Sequence, residues 1–70
     1  MSKFVLLYDN CKDKLLENGA LAIEGAMTLE EAIKKMKEAS KEYRYAKVMI
    51  LDSEGIYEAF YVDLRLFHTL

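Results

Sequence analysis

Cys11 and His68, the single cysteine and the single histidine, are the first places to look for chemistry in this chain. A reactive thiol needs a base or a positive charge beside it to lower its pKa. No local signature surrounds either residue and no spacing brings them together, so the expected arrangement is a half-buried Cys11 and an exposed His68. One cysteine cannot form an internal disulfide, and one Cys with one His makes no metal cluster of the usual kind. Carboxylates come next. Asp9, Asp13, Asp52, Glu54, Glu58 and Asp63 are available for acid–base work. Asp9 and Asp52 each follow an apolar run, where α/β enzymes often place functional groups, yet turn chemistry alone favours Asp there. Glu58 interrupts an apolar strand face, and a pair with Lys47 on the neighbouring strand would account for it without catalysis. Gly19, Gly25 and Gly55 lie apart and form no phosphate-cradling loop. No catalytic, cofactor-binding or metal-ligating residue is therefore assigned, no cofactor is expected, and the chain is read as non-enzymatic.

Two sets of residues remain as candidates for recognition. Lys34, Lys37, Lys41 and Arg44 recur at helical spacing, which places them on one flank of a helix with Glu31, Glu38 and Glu42 on the other. Residues 28–47 hold six basic and four acidic side chains, whereas 48–70 hold one and four. Such a flank is either an ordinary solvated surface or a contact for an acidic partner. No aromatic residue interleaves it to stack on bases, so protein is the expected partner and nucleic acid the alternative. The second set is aromatic. Tyr57, Tyr61 and Phe67 fall at even spacing on one face of a strand, with Tyr45 and Tyr8 as possible neighbours. They suit sheet packing, an interface anchored by tyrosine, or a small-ligand pocket between subunits.

These residues must be positioned by a short list of elements. Phe4 to Tyr8 reads as a strand that is apolar on both faces. Residues 11–27 admit two readings. Asn18-Gly19 between apolar runs is a hairpin signal; alternatively, Cys11 to Asn18 is a short helix capped by Asn10 and closed by Gly19. The hairpin is slightly favoured, with Gly25 marking a bulge or bend. Leu29 to about Arg44 is an amphipathic helix, with Thr28 as N-cap and Glu31 completing a capping box. Its expected i,i+4 ion pairs are Glu30/Lys34, Glu31/Lys35 and Lys34/Glu38. Tyr45 to Leu51 is a strand. Asp52-Ser53-Glu54-Gly55 is a turn with Gly55 at the bulge position, and Ile56 to about Leu66 is the last strand. Ile56, Phe60, Val62 and Leu64 are expected on one face, with Tyr57, Ala59, Tyr61 and Phe67 on the other. The sum is an α+β fold, β-(ββ)-α-β-β: one helix on one face of a small, mainly antiparallel sheet, with the tyrosine-bearing face uncovered.

Length and composition frame the function. Seventy residues make one domain, 1–70. A chain of this size buries only roughly 60% of its unfolded surface, and self-association is the supplement its composition leaves open. Apolar residues make up 53% of it, with five tyrosines and three phenylalanines, which favours a homodimer. A formal charge of −2 argues against a generic nucleic-acid binder. Residues 1–8 hold too short an apolar run for a signal peptide or a membrane span, and a lone free cysteine suits the reducing cytoplasm. The expected function is a small regulatory or accessory binding protein, of the format that phages and mobile elements encode. It would act as a homo-oligomer on a partner protein. The alternatives are a nucleic-acid-associated protein using the basic flank, and a small-ligand binder or enzyme subunit with a pocket at the oligomer interface.

Overall fold

A computed structural model describes residues 3–17 and 19–68. The element order is β1 (Lys3–Asp9), α1 (Lys12–Leu16), β2 (Ala22–Ala26), α2 (Leu29–Ala39), β3 (Tyr45–Asp52), β4 (Gly55–Asp63) and a 3₁₀ helix over Leu64–His68. The strands form one antiparallel sheet in the order β2-β1-β3-β4, so the class is the expected α+β. The apolar run of β1 is accounted for by its place between β2 and β3. Leu6, Leu7, Tyr8 and Asp9 are all buried.

One side of the sheet faces α2. There Leu6, Tyr8, Ala26, Ala46 and Val48 pack with Ala32 and Met36 of α2 and with Leu64 of the 3₁₀ helix. Helix α2 starts where its signals predict. The Glu31 amide donates to the Thr28 hydroxyl at 3.1 Å. The returning carboxylate of Glu31 reaches the Met27 amide at 3.5 Å, one residue earlier than a capping box requires. Of the expected ion pairs Glu31–Lys35 closes, at 3.3 Å, while Glu38 pairs with Lys41 instead of Lys34.

Four expectations are corrected. Residues 12–16 form a helix, so the strand–turn–strand reading of 11–27 is replaced by the alternative. Asn18, on which the hairpin signal turned, lies outside the described residues. The Asn10 side chain does not cap α1; the Asp9 carboxylate takes the Cys11 amide (3.0 Å) and the Asn10 side-chain oxygen Oδ1 takes the Arg44 amide (3.1 Å). Gly25 sits in regular pairing with Val5, with no bulge or bend. Helix α2 stops at Ala39 rather than near Arg44. Its end is held by the tail: a His68 ring nitrogen, Nε2, donates to the Ser40 carbonyl at 2.8 Å, and the Leu64 amide donates to the Arg44 carbonyl at 2.8 Å. Strand β4 correspondingly ends at Asp63, and the chain turns back as the 3₁₀ helix.

The β3–β4 hairpin turns at Ser53-Glu54. Gly55 has φ +120°, a conformation that L side chains rarely adopt, as its place in the turn leads one to expect. The bulge falls further on: Leu51 pairs with Ile56 and Ile50 with Glu58, which leaves Tyr57 without a partner residue. Ile56 is thereby moved to the opposite face from Phe60 and Val62, against the simple alternation expected.

Candidate functional site

The sheet face away from α2 is built from alternate positions of all four strands. Val5 and Leu7 of β1, Ile23 of β2, Lys47, Met49 and Leu51 of β3, and Ile56, Ala59 and Tyr61 of β4 share it by register. Helix α1 packs on β1 and β3, and its Leu15 is completely buried outside the α2-side core. Leu7 and Lys47 are buried on the far face, so α1 covers one end of it. The rest is open. Ile23, Ile56 and Tyr61 are 66%, 64% and 38% exposed, and Val5, Met49 and Leu51 are half-buried. Leu16, the last residue of α1, and Leu21, just before β2, add exposed apolar surface.

Two cations ride on the aromatic rings of this face. The Lys47 ammonium lies 5.8 Å from the Tyr61 ring centre, and the Arg65 guanidinium lies 5.7 Å from that of Tyr45. Arg65 is fixed by a fork on Asp63, with contacts of 2.7 to 3.2 Å, while its amide also donates to the Asp63 carboxylate. These bonds hold the Asp63 carboxyl down at about 2. Lys47 therefore sits over Tyr61, whereas Glu58 faces the other side of the sheet opposite Ile50. A Glu58–Lys47 pair does not form, because the residues belong to opposite sides of the pleat.

The aromatic set divides. Tyr61 stays on the far face. Tyr57 is the bulged residue and is 74% exposed. Phe67 leaves the strand altogether, and packs in the 3₁₀ helix against the α2-side core. Tyr8 is buried on that same side, stacked on Tyr43 with ring centres 5.6 Å apart and planes 9° from parallel. The basic set divides too. Lys34 and Lys37 remain on α2, while Lys41 and Arg44 lie past its end.

Between α2 and β2 runs a groove of about 620 Å³, lined by Tyr43, Glu24, Glu31, Lys34, Glu38 and Glu42 among others. Glu31, Glu38 and Glu42 line it together with Lys34, whereas Lys37, Lys41 and Arg44 are not among its lining residues. At its floor the Tyr8 hydroxyl donates to a Glu24 oxygen at 2.6 Å. Burial, the carboxylate as acceptor and its negative charge all favour the neutral phenol, and they raise the Tyr8 pKa far above its ordinary value. The sign of the consequence is fixed. A folded-state pKa above the unfolded one contributes stability that is intact below about pH 10 and is lost as pH rises further. Alkaline titration followed by circular dichroism should show stability falling above that pH, and Tyr8→Phe should flatten the fall while costing about 1 kcal/mol at neutral pH. Equal alkaline losses in both proteins would remove Tyr8 as the cause.

The remaining candidates are placed in turns. Asp52 accepts the Glu54 amide at 2.8 Å, as Asp9 accepts that of Cys11. Cys11 is exposed, not half-buried as expected, at the residue before α1. Among the described residues no three His, Cys, Asp or Glu side chains gather to hold a metal ion, and no helix is long and apolar enough to cross a membrane. Sequence reasoning missed Ile23 and Met49 as members of the open face. Their signal was weak: Ile23 lay within the ambiguous segment, and Met49 within a run that was apolar at every position. Comparison with protein-family models, with curated proteins and with solved structures finds no match.

Proposed function

We propose that this chain is a small non-enzymatic binding protein that acts as a homo-oligomer. It engages and modulates a partner protein through the sheet face opposite α2. The observation that carries this reading is the far face itself: apolar residues from four strands, with cover at one end only. A contiguous exposed apolar surface of this kind is ordinarily an interaction site. The partner it suits presents a flat apolar surface. The turn and pairing roles of Asp9, Asp52 and Asp63 support a binding rather than a catalytic reading. The nucleic-acid reading draws less support, because its four cations are split between α2 and the segment beyond it, and Lys41 is paired with Glu38.

The test is a pull-down from the native host's lysate with wild-type bait and with bait carrying Ile23→Asp and Ile56→Asp. Both side chains are mostly exposed, so folding should survive the change. Wild-type bait should retain a stoichiometric protein that the variant retains at least about tenfold less well. Equal retention would remove the far face from the proposal. Retention of nucleic acid that weakens steeply with salt would favour the alternative.

A further inference from the structure

The sheet has two edges, and they are unlike. Strand β2 spans five residues, and the Lys35 ammonium donates to its Gly25 carbonyl at 2.5 Å. A charged side chain bonded to edge backbone is one of the ways proteins protect an edge from further pairing. Strand β4 spans nine residues with no proline, lysine or arginine, and every residue from Gly55 to Tyr61 is exposed. Apart from the bulge at Tyr57, no such device interrupts β4, and an exposed edge of this kind is a template for another strand.

We propose that two copies of the chain pair antiparallel through β4, about a two-fold axis at Phe60, into one continuous eight-stranded sheet. This rests on the homo-oligomer reading above and names the surface that makes it. An antiparallel edge is its own complement under a two-fold axis, so a second copy fits without any further adaptation. The pleat then limits the register. Each residue must oppose one from the same side of the sheet, which puts the axis on a residue rather than between two. The bulge at Tyr57 confines regular pairing to Glu58–Asp63. An axis at Ala59 or Val62 pairs only three residues of each strand, and one at Glu58 or Asp63 sets carboxylate against carboxylate. An axis at Tyr61 draws into the pairing the half-buried Asp63, which is forked to Arg65 at the turn into the 3₁₀ helix. With the axis at Phe60, ring opposes ring, Tyr61 lies over Ala59 of the second copy, and Glu58 opposes Val62. Phe60 is 38% exposed on the α2 side of the sheet, and this pairing covers it. The far face stays open across both copies for the partner.

The experiment uses the full chain. Sedimentation velocity across a concentration series should show a dimer. In a Cys11→Ser background, Phe60→Cys should form an intermolecular disulfide on mild oxidation, because opposed residues lie about 4.5–5.5 Å apart at Cα, within disulfide reach. Ala59→Cys and Tyr61→Cys should cross-link when mixed and not when alone, since like positions are then offset by two residues along the strand. Phe60→Lys should raise the dimer dissociation constant at least about tenfold, with an unchanged circular dichroism spectrum. A monomer at every concentration overturns both this inference and the homo-oligomer reading. A dimer in which Phe60→Cys fails to cross-link overturns the β4 edge alone. Cross-linking of Ala59→Cys by itself overturns the axis at Phe60. A monomer whose β4 amides gain exchange protection only with a partner protein assigns the edge to that partner instead.

Discussion

Leu6→Ala should leave the chain largely unfolded at physiological temperature. Leu6 is completely buried at the centre of the α2-side core, on a strand paired on both sides. Removing its isobutyl group forfeits both transfer energy and packing, about 2–5 kcal/mol at such a position. A domain of this size holds only about 3–5 kcal/mol from its core. Each kcal/mol corresponds to about 4–8 °C in melting temperature at this length, so a fall of at least about 10 °C is expected by circular dichroism. A fall of only a few degrees would mean that the core is far more plastic than its close packing implies.

The second large effect is expected at Leu15→Ala, and it separates the two sides of the sheet. Leu15 is the buried residue of α1, and it lies outside the α2-side cluster. Truncation should cost about 2–4 kcal/mol. It should also free α1 from the sheet, since a helix of five residues has no stability of its own in water. Hydrogen exchange is the discriminating measurement. In Leu15→Ala, amides of residues 12–16 should lose protection well beyond those of α2, whose loss is limited to the global fall in stability. Uniform loss across both helices would contradict the separate anchoring of α1.

That segment also marks the limit of what could be read from the residues. Helix α2 was legible because two independent signals agreed, Thr28 with Glu31 at its start and an apolar stripe along its length. Its end was not. Tyr43 continues the stripe in sequence, but in space it turns back to stack on Tyr8, a contact that no local pattern encodes. For 11–27 the local signals were equivocal, since a glycine after asparagine serves a hairpin or a helix terminus equally well. Burial of Leu15 against β1 and β3 decides between them, and burial is a tertiary fact. The open face was legible in outline from one helix facing one sheet. Its membership was not, because the bulge at Tyr57 reverses the faces of the residues before it, and Phe67 is carried off by the final turn.

The strand order carries a consequence for how the chain is made. Of the four strands of the sheet β1 is made before the others and is interior, and it completes its pairing only when β3 emerges, after both helices and β2. Until then β1 presents a bare apolar edge beside the growing chain. The β3–β4 hairpin, by contrast, can close locally around Gly55 as soon as it is made. Docking that hairpin onto the waiting β1 is the long-range step, and its loop-closure cost should set the folding rate. During that interval a nascent chain is most exposed to pairing with its neighbours.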